Sequence, residues 1–121
     1  MTKQNKFFIK GKLGFINIWY KDKYITIIVD RKDLWKCVMK TPWYINPIHT
    51  GSFRIVSSNG LILARFLLGL DRANKPNIRV YHVNGDYRDH RKANLIRDYT
   101  DWKYTEDGFE NAKAKQIPIL S

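Results

Sequence analysis

The apolar residues in the first thirty positions of this chain come in three short runs: Phe7-Phe8-Ile9, Leu13 to Trp19, and Tyr24 to Val29. Gly11 separates the first two and Lys21-Asp22-Lys23 the last two. Runs of this length, rich in β-branched and aromatic residues and broken by turn formers, read as strands. Connections this short suit an antiparallel order, because parallel strands need a long crossover. The first expectation is therefore a small antiparallel sheet at the N-terminus. In Phe15-Ile16-Asn17-Ile18-Trp19 the in-and-out alternation is imperfect.

Beyond the sheet, Asp30 stands where it can cap a helix over Arg31 to Lys40, and Pro42 stops that helix. Within it Leu34 and Val38, with Trp35 and Met39, fall at i, i+4 spacing and predict one apolar face. Trp43-Tyr44-Ile45 and Phe53-Arg54-Ile55-Val56 read as a further pair of strands around the Pro47 to Gly51 loop. Leu63, Phe66, Leu67 and Leu70 sit at helical spacing, with Gly69 placed for a C-terminal cap, so Leu61 to Leu70 reads as a buried helix, and a continuous buried strand is the rival. Arg72 to Asn77 is expected to be an exposed linker. The chain is thus an α+β protein. A basic, strand-rich region, residues 1–77, is expected to pack on a second part, residues 78–121, in one compact domain.

Charge narrows the class of partner. Twenty-two Lys and Arg against eleven Asp and Glu give a formal net charge of +11. The excess is uneven. Residues 1–40 hold ten basic against three acidic side chains, residues 41–77 four against one and residues 78–97 five against two, whereas residues 98–121 hold three against five. A compact basic domain with an acidic tail points to nucleic acid, whose phosphates supply most non-specific affinity through counterion release. Near the N-terminus no apolar run is long enough for a signal peptide, and none anywhere could span a membrane, so a cytoplasmic protein with no membrane partner is expected. The single cysteine, Cys37, reads as a small buried residue on the first helix.

The chemistry is concentrated in Val80-Tyr81-His82-Val83-Asn84-Gly85-Asp86-Tyr87-Arg88-Asp89-His90-Arg91-Lys92-Ala93-Asn94-Leu95. This stretch resembles, without a gap, the core signature of the phage and intron-encoded HNH homing endonucleases, V-D-H-x-N-G-D-x-x-D-N-R-x-x-N-L. Val29-Asp30, Pro42-Trp43-Tyr44 and Leu63-Ala64-Arg65-Phe66-Leu67-Leu68-Gly69 are similar to further blocks of that family, which extends the resemblance over roughly residues 25–97. The resemblance implies a ββα-metal core, a hairpin followed by a helix. It also implies hydrolysis of a phosphodiester by a general base, a divalent cation and groups that hold the phosphate.

Position by position, the resemblance makes His82 the general base and Asn94 the residue that orients it. Its metal positions fall on Tyr81, where the family has Asp, and on Lys103. A neutral phenol and an ammonium are poor partners for Mg²⁺, so no metal ligand and no cofactor is expected, with Mg²⁺ or another divalent cation required if the protein is active. The family's first His is Ala64, and its Asn between Asp and Arg is His90. Arg79, Arg88, Arg91, Lys92 and Arg97 are expected to line a basic groove on the hairpin and its loop. The leading reading is a nucleic-acid-binding protein derived from an HNH endonuclease, a basic pseudoenzyme that binds or blocks. Its partner is DNA by the resemblance, while the residues alone fit DNA or RNA. One rival is an active DNA-nicking endonuclease in which Asp86, Asp89, His90 or Asn111 replaces the missing ligands. Another is a phage-type inhibitor that binds a host or phage protein through the aromatics of the first 24 residues.

Electrostatic binding makes a direct prediction. Affinity for a labelled 20-base-pair duplex, followed by anisotropy, should fall at least about tenfold between 50 and 200 mM salt and depend little on sequence. A flat salt response would remove phosphate contacts as the source of affinity.

Overall fold

The computed structural model of the chain describes residues 3–49, 51–70 and 80–97. The expected linker Arg72 to Asn77, together with Arg79, Lys103, Asn111 and the acidic tail, lies outside the described residues, as does the side chain of Arg97.

The first three strands, β1 (Lys6–Lys10), β2 (Leu13–Tyr20) and β3 (Lys23–Asp30), form an antiparallel meander in the order β1-β2-β3. Lys10 pairs with Leu13 and Tyr20 with Lys23, so each turn holds two residues. Lys21, at φ 60°, supplies the left-handed conformation that the second turn requires. Alternation along β2 now explains its imperfect pattern, because both faces of the sheet carry apolar residues. Ile16 and Ile18, with Ile27 and Val29 of β3, enter the main core beside Trp43, Ile45, Ile55, Leu63 and Leu67. Leu13 and Phe15, with Ile28, form a smaller cluster of their own, and Phe8 stacks on Phe15 at 4.9 Å between ring centroids.

After β3 the backbone turns through one 3₁₀ turn, Arg31–Asp33, into α1 (Leu34–Met39). This corrects the expected ten-residue helix. Asp30 makes no side-chain capping bond, and its carboxylate instead accepts the backbone N–H of Lys92 at 2.9 Å. The expected apolar face is corrected as well. Leu34 and Cys37 point into the core, while Trp35, Val38 and Met39 are exposed. Six α-helical residues bury only one narrow stripe, and the i, i+3 pair Leu34 and Cys37 fills it. Burial pushes the Cys37 thiol up to about 12, so it stays protonated, as its reading as a packing residue requires.

Strands β4 (Trp43–His49) and β5 (Ser52–Ser57) form a two-stranded antiparallel sheet, with β4 running on past Pro47. Trp43 is 1% exposed and donates its indole N–H to the Cys37 carbonyl at 2.8 Å. The Asn5 carboxamide accepts from the Trp43 N–H at 2.6 Å and donates to the Trp43 carbonyl at 3.0 Å, which ties the chain ahead of β1 to β4. The expected buried helix is α2 (Leu63–Leu67), with Leu63, Ala64 and Leu67 turned inward. Gly69, at φ 72°, ends it: the Leu70 N–H returns to the Arg65 carbonyl and the Gly69 N–H to that of Phe66, the two bonds of a Schellman cap. A last hairpin, β6 (Val80–His82) with β7 (Leu95–Arg97), pairs Tyr81 with Ile96 and His82 with Leu95. Small antiparallel sheets joined by short helices make an α+β fold.

At Gly14 the meander lies close against α1. A Cβ there would lie 3.1 Å from the Leu34 Cβ and 3.1 Å from a Val29 methyl. Gly14→Val should therefore overpack the core and lower stability by about 1–3 kcal/mol in urea unfolding, despite the better strand propensity of valine. Unchanged stability would mean that α1 moves away without cost.

Candidate functional site

The long connection from β6 to β7 folds on its own polar groups. Asn84 accepts the Asp86 N–H on its side-chain oxygen, and Gly85, at φ 74°, turns the chain, so Asn84-Gly85-Asp86 forms an Asx turn. Asp86 then takes the Arg88 N–H on its carboxylate, along with two bonds from the Arg88 guanidinium at 3.1 and 3.0 Å. Burial raises the Asp86 carboxyl. The hydrogen bonds and charge of Arg88 together outweigh that and hold it below the ordinary carboxylate value.

Asp89 is the centre of the loop. It is fully buried, and its two oxygens take a fork of bonds from the Arg91 guanidinium at 2.9 and 2.7 Å. The Arg91 N–H and the Asn84 amide complete the set at 3.1 Å each. Asn94, also fully buried, bridges the two ends of the loop. Its oxygen accepts the Asn84 N–H at 2.9 Å, and its amide donates to the Asn84 oxygen at 2.9 Å and to the Asp89 carbonyl at 3.0 Å.

That same Asp89 carbonyl lies 2.9 Å from Nδ1 of His82. A carbonyl only accepts, so Nδ1 carries the proton and Nε2 keeps a lone pair. His82 and Asn94 thus share the Asp89 carbonyl as a common acceptor. The His82 ring packs against Tyr87 at 5.4 Å and against His90 at 4.7 Å, both edge to face. Burial lowers the His82 pKa, and burial with the neighbouring His82 lowers that of the fully buried His90 much further. The imidazole of His90 leaves Nδ1 without a partner.

The loop is fastened to β3. The Ile28 N–H donates to the Arg88 carbonyl at 2.8 Å and the His90 N–H to the Ile28 carbonyl at 2.7 Å, a parallel bridge between Ile28 and Asp89. Two residues further along each segment, Lys92 is held by Asp30 through its N–H, and the buried Asp33 holds its ammonium, 3.3 Å from Oδ1. Between this loop and the β4-β5 turn lies an open hollow of about 330 Å³, lined by Gly51, Phe53, Asn84, Gly85, Asp86, Tyr87 and Arg88.

These positions revise the expected basic groove. The Arg91 side chain is 2% exposed and committed to Asp89, so it braces the loop and is withdrawn from any phosphate at the surface. Arg88 and Lys92 keep solvent contact, but each is already paired with a carboxylate. The spacing Asp89-His90-Arg91 was the available signal, since a carboxylate two residues before an arginine can fork it locally. The roles of Asp30 and Asp33 in holding Lys92 carry no such local signal, because about sixty residues separate the partners.

Among the described residues, the donors near His82 do not suit a hard cation. Tyr81 is half-buried opposite Ile96 in the hairpin, the Asp86 carboxylate is occupied by Arg88, and that of Asp89 is buried under Arg91 and Asn84. Among the described residues no cluster of three or more His, Cys, Asp or Glu side chains is placed to hold a metal ion. No helix among them is long and apolar enough to cross a membrane. Comparison with family models, curated proteins and solved structures returns no match.

Burying two neutral imidazoles couples stability to pH. The folded state holds His90 and His82 below the ordinary 6.5, so the unfolded chain takes up those protons first as pH falls. Stability is complete above about pH 6.5 and should decline below it, by at most about 1.4 kcal/mol per pH unit for each group. Thermal melts between pH 7.5 and 5.5 should show this decline, and His90→Gln should make it shallower. A wild-type curve flat over that range would mean that neither imidazole is kept neutral.

Proposed function

We propose that the chain is a nucleic-acid-binding protein derived from the HNH homing endonucleases, its cleavage activity lost, that acts by occupying or blocking a nucleic-acid site. One observation carries the reading: His82 is tethered through Nδ1 to a backbone carbonyl that Asn94 also grips, which leaves Nε2 as a free base. This is the relation the resemblance implies between a base and its orienting residue, and it arises in the hairpin and loop that the resemblance places there. The same hairpin holds Tyr81 where the family has its metal-binding Asp, and the nearby carboxylates are engaged by arginines. A base is thus kept while the means of capturing a cation is absent from those positions. In phosphodiester cleavage the cation offsets charge on the pentacovalent phosphate, so binding would survive and hydrolysis would not. The net charge of +11 supports the binding half of the reading.

Supercoiled plasmid with Mg²⁺ or Mn²⁺, beside a gel shift in EDTA, separates the outcomes. Wild-type protein should retard DNA without nicking it. Tyr81→Asp combined with Lys103→Asn should introduce metal-dependent nicking that a further His82→Ala removes, provided that melting shows each variant to be folded. If wild-type protein nicks plasmid with Mg²⁺ and His82→Ala abolishes that activity, the protein is an enzyme and the reading is wrong.

A further inference from the structure

Among the described residues, the lysines of the meander have no ion partner, whereas the cations of the loop do. Arg88, Arg91 and Lys92 each face a carboxylate. Lys3, Lys6, Lys10, Lys12, Lys21 and Lys23 make no ion pair among the described residues, and Asp22 is the only acidic side chain between residues 3 and 29. Alternation places Lys6, Phe8 and Lys10 of β1, Leu13, Phe15, Asn17 and Trp19 of β2, and Tyr24, Thr26, Ile28 and Asp30 of β3 on one face, opposite to the face that enters the main core. Leu13, Phe15 and Ile28 are buried and Asp30 is taken by the Lys92 N–H, which leaves the Lys6, Phe8, Trp19 and Tyr24 end open.

On that face cations and rings interleave. The Lys3 ammonium lies 4.2 Å from the centroid of the Trp19 ring and the Lys6 ammonium 5.1 Å from that of Tyr24. The two rings meet edge to face at 5.0 Å. Further along, Phe8 is 45% exposed on top of the buried Phe15. Thr26 donates to the Asn17 side chain at 2.7 Å, which leaves the centre of the face polar but internally satisfied. Flexible lysines resting on aromatic rings can exchange a ring for a phosphate by moving a few ångströms, and the ring they uncover presents a π face.

We propose that this outer face of the meander is a binding platform for single-stranded nucleic acid, with bases stacking on Trp19, Tyr24 and Phe8 and with Lys3, Lys6 and Lys10 on the phosphates. Charge complementarity selects a polyanion. The interleaved rings select one with unpaired bases, because a duplex keeps its base faces inside the stack. An acidic polypeptide would use the lysines and leave the rings idle. The residues of the platform are not those of the His82 loop, and the proposal holds whether or not that loop descends from a nuclease.

The test is anisotropy of a fluorescein-labelled oligothymidylate of 20 nucleotides with the full chain, using polyglutamate as competitor. Binding at 50 mM salt should weaken about tenfold or more in the double variant Trp19→Leu with Tyr24→Leu, as expected when stacked bases lose their rings. Lys3→Gln with Lys6→Gln changes exposed side chains only and should flatten the salt dependence by about 1.4 units, from ~0.7 for each single-strand phosphate released. Undetectable oligothymidylate binding would overturn the proposal. So would an unchanged affinity in an aromatic variant that still melts cooperatively, or displacement by polyglutamate at equal charge concentration. If the aromatic variant does not melt cooperatively, the lysine variant decides, and an unchanged salt slope overturns the proposal.

Discussion

A single buried carboxylate organises the connection between β6 and β7. Removing Asp89 from water costs several kcal/mol, and only a full set of donors offsets that cost. Arg91 supplies a guanidinium fork, Asn84 an amide and the backbone one N–H. With the carboxylate fixed in this way, its own carbonyl has one direction left to point, and it points at His82. The tautomer of the histidine, the bridging role of Asn94 and the seat of the loop on Ile28 all follow from where Asp89 is pinned. Removing either member of the buried pair would leave the other charge uncompensated, so each depends on the other to be buried.

Charge in this chain is divided into two kinds by its surroundings. Around the loop each cation has a carboxylate within 3.3 Å, and these charges act as internal braces. On the meander Lys3, Lys6 and Lys21 rest over aromatic rings, an interaction weak enough at an exposed site to be exchanged for an anion. A net charge summed over the chain does not separate these two populations, although they differ in how readily they can turn to a partner.

The strands were legible because their boundaries are set locally, by Gly11, by Lys21-Asp22-Lys23 and by runs too short for anything else. The end of α2 was legible for the same reason, since Gly69 permits the left-handed residue that a Schellman cap needs. What was misread depends on distant partners. Asp30 looks like a helix cap within its own segment, yet Lys92 claims its carboxylate. Trp35, Val38 and Met39 have helical spacing, but the core behind α1 is already filled by Trp43 and the meander, and only Leu34 and Cys37 find room. Within the candidate site, the motif singles out His82 and Asn94, and the fold brings both onto the Asp89 carbonyl. The burial of Arg91 was not legible, because exposure is a property of the whole packing and not of a residue type.

The parallel bridge between Ile28 and Asp89 has a consequence for self-association. In the order β1-β2-β3, two strand edges would face solvent, and an open edge is a template on which another chain can add a strand. β1 carries lysines at both of its ends, which discourages such pairing. β3 has Ile25, Ile27 and Val29 along its length, and the segment Arg88 to His90 lies against it and takes up the hydrogen-bonding groups of Ile28. The loop that shapes the histidine site is therefore also the seal on the stickier edge of the sheet. Any excursion that lifts it to admit a large ligand to His82 uncovers an aggregation-prone strand at the same moment, so accessibility of the site and solubility of the protein oppose each other.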